Sequence, residues 1–235
     1  MTDFLLIHGS AHGAWCWDHL IPHLQSAGHT ARAIDLPSHG DDPTPPEDVT
    51  LDMYADAIGA ALSNRSILVA HSMAGFPATL AADRAADQVD RIVYIGAHVP
   101  IPGKSIADMR AMADSQPLVE AMIRSDDGKT IRFDPTKARE KFYHDVPDDL
   151  ATWAIARLCP QAVLPQTTPY PAGGTLAHGR HYIRCMMDRA IPPSYQVART
   201  ADWPAGTVSE MPTSHSPFLA DPAGLAADLL RIAQG

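Results

Sequence analysis

Three short runs in the chain are apolar without alternation: Phe4-Leu5-Leu6-Ile7, Ile67-Leu68-Val69-Ala70 and Ile92-Val93-Tyr94-Ile95. A strand with one face in water alternates, so unbroken runs predict strands covered on both faces, as in a parallel sheet flanked by helices. Weaker strand patterns occupy residues 30–35, 181–187 and 206–211. Between the early runs the period changes. Trp17, Leu20, Ile21 and Leu24 recur at i, i+3, i+4 and i+7, and Leu51, Tyr54, Ile58 and Leu62 follow a compatible spacing, which predicts two amphipathic crossover helices. Gly28 is placed to end the first and Thr50 to cap the second, while Asp221-Pro222 opens a last helix with a capping carboxylate followed by proline. An Ala-rich helical pattern covers residues 79–86. The β-α-β-α alternation predicts an α/β fold with a mainly parallel, doubly wound sheet.

Residues 97 to about 176 break this rhythm. They hold most of the long polar stretches, a hairpin turn at Asp127-Gly128, and short helical patterns at 106–112 and 150–158. The parallel pattern then resumes near His181, which predicts a cap inserted into one domain spanning residues 1–235. With 235 residues, 46% hydrophobic and 19% charged, the composition suits one compact domain.

Charge narrows the partners. Eighteen basic against 27 acidic residues give a formal charge of −9, which argues against nucleic acid and against an anionic membrane. No apolar stretch approaches the roughly 20 residues of a membrane-spanning helix, and Met1-Thr2-Asp3 lacks a basic leader, so the expectation is a soluble, cytoplasmic protein. Cys16, Cys159 and Cys185 are an odd number without CxxC spacing and read as reduced, small apolar side chains. Oligomeric state is left open, with a homodimer as one option.

The stretch Ala70-His71-Ser72-Met73-Ala74-Gly75 lies where a buried strand ends and a helix begins. A serine on such a sharp turn holds its hydroxyl clear of the backbone at a helix start, where free N–H groups favour developing negative charge. Small residues are needed two before and two after it, and Ala70 and Ala74 meet that size requirement in place of the usual glycines. Ser72 is therefore the candidate nucleophile. It needs a base, and the base needs an orienting acceptor. Of 12 histidines, His215 lies just after the last strand and just before the last helix. His71 is expected to point into strand–helix packing. The loop after Ile95 has no carboxylate, so Asp188, at the end of the next strand, is the candidate acid; the competing reading is a turn aspartate paired with Arg184 or Arg189. Asp35 precedes the nucleophile and reads as a turn acceptor.

Acyl transfer also needs two N–H donors for the oxyanion. The candidates are the amides of Met73 and Ser10, with Gly9 letting the backbone of the first loop approach. His8 and His12 mimic an i, i+4 metal pair, but a glycine-broken loop without a third ligand does not support one, so neither metal nor cofactor is expected. Gly9, Trp15, Trp17, Met73 and Phe218 are candidates for an apolar substrate pocket.

Taken together, the segments Leu5 to Trp15, Ala33-Ile34-Asp35-Leu36-Pro37, the serine elbow, Cys185 to Pro193 and His215-Ser216-Pro217-Phe218-Leu219 resemble the α/β-hydrolase superfamily. Within it the chain is similar to the branch of plant methylesterases, α-hydroxynitrile lyases and bacterial esterases, some acting on pyrethroid-type esters. The resemblance implies an α/β-hydrolase fold with a cap at roughly 97–176, a triad of Ser72, Asp188 and His215 in the order this fold uses, and an oxyanion hole from the Ser10 and Met73 amides. The lyases carry a threonine after the first-strand histidine and a lysine after the catalytic histidine; here Gly9 and Ser216 stand there. The expectation is therefore a serine carboxylic-ester hydrolase acting on small aryl or alkyl esters without cofactor. A hydroxynitrile lyase and a small-molecule receptor with a retained triad are the alternatives, and thioester, lactone or amide hydrolysis would use the same residues.

Overall fold

The structure is a computed structural model that describes residues 1–63, 65–172 and 178–235. The chain opens with β1 (Asp3–Ile7), α1 (Ile21–Ser26), β2 (Thr30–Ile34), α2 (Leu51–Ala61), β3 (Ser66–His71), α3 (Gly75–Arg84) and β4 (Val89–Ile95). An insertion follows, with α4 (Ile106–Ala111), β5 (Met122–Arg124), β6 (Thr130–Phe133), α5 (Pro135–Phe142), α6 (Asp148–Ile155), β7 (Gln161–Ala162) and α7 (Leu164–Thr167). The main sheet resumes with β8 (Gly179–Cys185), α8 (Pro193–Arg199), β9 (Val208–Met211), α9 (Pro217–Ala220) and α10 (Pro222–Gln234). Six strands pair in parallel in the order β2-β1-β3-β4-β8-β9. In the insertion β5, β6 and β7 form a separate antiparallel sheet around the predicted hairpin. Strand order reverses between β1 and β3, so the loops after these two strands diverge there and open a crevice at their carboxyl ends.

The unbroken apolar runs are explained by burial on both faces. Phe4, Leu6, Ile67, Val69, Val93 and Ile95 pack on one side, and Leu5, Ile7, Leu68, Ala70, Ile92 and Tyr94 on the other. Each fully buried leucine or isoleucine contributes roughly 1.5–3 kcal/mol relative to exposure, so the central strands are the rigid base of the molecule.

The helix caps form as the sequence predicts. Thr50 Oγ1 accepts from Met53 N at 3.2 Å, Asp221 Oδ1 accepts from Gly224 N at 2.9 Å, and Gly28 ends α1 with φ +85°. Of the boundaries that differ, two bear on the site. The pattern from Trp17 to Leu24 is a 3-10 turn (Ala14–Trp17) followed by the short α1, because Pro22 has no N–H for the helix interior but fits the first turn. Strand β8 stops at Cys185, so Asp188 lies in the turn beyond it, its amide bonded to Cys185 O at 3.2 Å. The end of the expected cap, residues 173–176, lies outside the described residues. Among the described residues no helix is long and apolar enough to cross a membrane.

Candidate active site

Ser72 is the first residue after β3 and has φ +55°, in the left-handed region that non-glycine residues rarely adopt. Such a conformation costs on the order of 1–3 kcal/mol and persists where its surroundings over-determine it. Here β3 is paired on both sides, a single 3-10 turn (Ser72–Ala74) leads into α3, and Ser72 O accepts from His98 N at 3.1 Å. Ala70 and Ala74 are fully buried, as their size requires. The tightest spot is one residue further on: a Cβ on Gly75 would lie 2.2 Å from His98 O.

Ser72 Oγ and His215 Nε2 are 3.0 Å apart, and His215 Nδ1 lies 2.7 Å from Asp188 Oδ2. With the proton on Nδ1 the ring donates to the carboxylate, leaving Nε2 to accept from the serine hydroxyl. All three residues are buried. Asp188 also accepts from Ala190 N at 2.7 Å, Ile191 N at 2.8 Å and Gln196 Nε2 at 3.0 Å. Arg184 bonds Glu210 and Thr200 instead, and among the described residues Arg189 forms no ion pair with Asp188, so the turn-aspartate alternative does not describe its pairing. Asp35 accepts from Ala14 N and Asp41 N and holds the first loop, matching its expected part as a turn acceptor.

Gly9 brings that first loop against the elbow. A Cβ there would lie 2.7 Å from His71 Nδ1 and 2.8 Å from Ser72 Cβ. The next residue, Ser10, and Met73 both line the cavity beside Ser72. Among the described residues neither amide donates to a protein acceptor. The two amides expected to serve an oxyanion thus belong to residues lining one cavity and are both unspent. His8 and His12 are engaged otherwise: His8 Nε2 accepts from Leu36 N at 3.1 Å, and His12 Nε2 lies 2.6 Å from Tyr143 Oη. Burial pushes the His12 imidazole down to about 4 and that of His8 well below its usual range.

The pocket is walled differently from expectation. The cavity is narrow, about 40 Å³, and its apolar walls include Met73, Ile106, Leu118, Val119 and Ile191. Gly9, Trp15, Trp17 and Phe218 do not line it. Trp17 and Phe218 are fully buried beneath the site, their rings 4.9 Å apart and Phe218 another 4.9 Å from His71, because the turns that carry them face the sheet and not the insertion. Trp15 stacks on His12 and meets Trp153 edge-on.

A model of the alpha/beta hydrolase family matches residues 4–228. The chain belongs to the alpha/beta hydrolase family. It is 32% identical to methylesterase 7 of Arabidopsis thaliana over 252 residues, covering 98% of this chain and 95% of that protein. Methylesterase 18 of the same plant is 29% identical over 263 residues, covering 98% and 96%. Among solved structures, a pyrethroid hydrolase from Sphingobium faniae JZ-2 superposes with a TM-score of 0.88 at 26% identity, over 100% of this chain and 98% of that one.

Several residues of this alpha/beta hydrolase site escaped sequence reading. His71 does pack beneath the elbow as expected, but its Nε2 also donates to His215 O at 2.8 Å, fixing the histidine loop. Burial, and then the neighbouring His215, hold the His71 imidazole well below its ordinary value, so it acts as a neutral donor. Gln196, on α8, ties Asp188 to Cys185 N and Ile191 O. Gln166 and Arg110 reach the cavity from the insertion. The signal for Gln196 was its place one helix past the candidate acid; for the other two no local signal exists.

Proposed function

We propose that this alpha/beta hydrolase cleaves small carboxylic esters through an acyl-enzyme on Ser72. The observation that carries the reading is the continuous relay Asp188–His215–Ser72, with spacings of 2.7 and 3.0 Å. Ser72 Oγ attacks the ester carbonyl as its proton passes to His215 Nε2. Asp188 stabilises the resulting imidazolium. The tetrahedral oxyanion is held by the Ser10 and Met73 amides, a contribution of about 3–4 kcal/mol for each such donor where one has been removed in comparable sites. Collapse expels the alcohol, which takes the proton from His215. A water then gives its proton to His215 and adds to the acyl carbon, and collapse returns a proton to Ser72 and frees the acid. The names of the relatives, methylesterase and pyrethroid hydrolase, support an ester as the substrate.

The insertion over the carboxyl ends of the strands acts as a cap. Its cavity of about 40 Å³ is far below the roughly 300–1,000 Å³ of ordinary small-molecule sites, so ester entry requires the cap to give way. Gly9 and Ser216 favour hydrolysis over hydroxynitrile cleavage: position 9 has no room for a side-chain hydroxyl, and Ser216 supplies no cation.

Steady-state turnover of 4-nitrophenyl acetate and butyrate by the wild type, Ser72→Ala and His215→Ala tests the reading. Wild-type turnover with losses of at least 10³-fold in both variants is expected, comparable losses reflecting residues that act as a unit. Undiminished turnover in folded Ser72→Ala overturns it.

A further inference from the structure

The cavity beside Ser72 contains a positive charge that has no negative partner among the described residues. Arg110, on α4 of the insertion, lines it and is half-buried. Among the described residues its guanidinium makes one hydrogen bond, from Nη1 to Gln166 Oε1 at 3.1 Å, and Gln166 Nε2 in turn donates to Ser10 Oγ at 3.0 Å. Among the described residues it forms no ion pair. Burial acts against the charge and lowers the guanidinium from its ordinary value, yet an arginine stays protonated in proteins.

Two further polar groups of the same cavity wall lack partners among the described residues: His98 Nδ1 and Tyr195 Oη. His98 is buried, and burial followed by the Arg110 charge pushes its imidazole down to about 3, so it stays neutral. Arg199 on α8 adds to the field, its charge bearing on both His98 and Tyr195, and its Nε is also without a partner. An otherwise acidic protein of charge −9 has thus placed one guanidinium and two unspent polar atoms in the wall of an apolar cavity, with a second guanidinium acting on that wall from α8. A cation in such a place is unfavourable until an anion completes it, and the forked guanidinium donors match a carboxylate.

We propose that the substrate of this hydrolase is an ester bearing a carboxylate, which Arg110 binds while Ser72 attacks the ester carbonyl. This rests on the ester-hydrolase reading of Ser72. Gln166 links the anion site to Ser10, whose amide faces the oxyanion, so the two ends of the substrate are read by one connected set of side chains.

The test compares charged and neutral esters in two series, because the carboxylate can sit on either side of the scissile bond. On the acyl side, the monoester 4-nitrophenyl glutarate is set against 4-nitrophenyl valerate; on the alcohol side, 4-acetoxybenzoate against 4-acetoxybenzamide. Wild type is expected to favour the charged member of one series by at least tenfold in kcat/KM. Arg110→Gln should reduce that ratio at least tenfold, and Arg110→Lys should restore part of it. A purely structural role for Arg110 would lower both members alike and leave the ratio unchanged. The proposal is overturned if wild type favours the neutral member in both series, or if Arg110→Gln keeps the wild-type ratio; ester hydrolysis itself then still stands on the neutral substrates. If no ester turns over, that reading fails by itself, and calorimetry of monomethyl glutarate with Ser72→Ala decides the anion site. Saturable binding weakened at least tenfold by adding Arg110→Gln supports it, and equal or absent binding in both proteins overturns it.

Discussion

Ser72 and Arg110 face the same cavity and are held in opposite ways. Ser72 sits between a fully buried strand and a ten-residue helix, with its backbone and hydroxyl both engaged, in a left-handed conformation that only such confinement sustains. Arg110 rides on a six-residue helix and is held through one hydrogen bond to Gln166. Around it the insertion is built from short helices and a three-stranded sheet, and it leaves Met112, Val119, Ile123 and Leu164 about half exposed. The comparison teaches a division of labour. On the proposed reading, chemistry requires sub-ångström placement and is mounted on the sheet, whereas substrate selection tolerates looser support and can change without disturbing the base.

The sharpest way to break this contrast is within the relay. Asp188→Asn should keep the fold, since the backbone amides of Ala190 and Ile191 still find an oxygen acceptor. It should lower kcat by about 10⁴-fold, the loss seen when the orienting aspartate of a serine protease triad is changed the same way, because the amide stabilises the wrong imidazole tautomer. Circular dichroism with ester kinetics checks both halves; a loss under tenfold would assign the orienting function elsewhere.

Next in size is Gly9→Ala. Its methyl group would lie within 2.8 Å of His71 Nδ1 and Ser72 Cβ, and the buried elbow cannot yield freely. A displacement of about 1 Å at the reacting atoms costs roughly 10² in rate, so kcat/KM should fall by that order and Tm should drop. Unchanged kinetics would mean that the first loop is as adaptable as the insertion.

Acid should weaken both regions together. His12 beneath the sheet loops and His98 at the cavity are buried with imidazoles lowered to about 4 and about 3, against 6.5 when unfolded. The unfolded chain therefore binds more protons than the folded one between these values. Stability contributed by the neutral rings is fully present above pH 6.5 and is lost as pH falls toward 4, at up to about 1.4 kcal/mol per pH unit for each histidine. Urea midpoints measured from pH 8 to pH 4.5 check this, and a flat profile below pH 6.5 would contradict it.

The smallest effect is expected from Val119→Ala on the insertion side of the cavity. With Val119 about half exposed, stability should change by no more than about 0.5 kcal/mol. The relative rates on acetyl, butyryl and hexanoyl esters should nevertheless shift, because the side chain lines the cavity. A stability loss comparable to that of a core truncation would make the insertion part of the rigid base.

The same contrast governs what was legible beforehand. Strands β1, β3 and β4 were plain because burial on both faces writes an unbroken apolar run, and Ser72, Asp188 and His215 were located by where strands end. Their order then matched a known superfamily. Of the pocket candidates only Met73 lines the cavity. Trp17 and Phe218 are large and lie near the motifs in sequence, but local turns direct them into the core, whereas Arg110 and Gln166 arrive from segments 38 and 94 positions beyond Ser72. Only tertiary packing brings such residues together, and a short helix with one buried stripe carries no mark of which residue faces a cavity. α5 and α8 went unread for a related reason: each opens with proline after a loop and is too short for a clear period.

The most direct test of the central claim is to trap the intermediate. Wild-type protein mixed with excess 4-nitrophenyl butyrate and quenched in acid within milliseconds should carry one butyryl group, located by peptide mass spectrometry on Ser72. Ser72→Ala should carry none and release no 4-nitrophenol above the protein-free rate. A butyryl group on another side chain, or wild-type release of 4-nitrophenol by Ser72→Ala, would contradict the account.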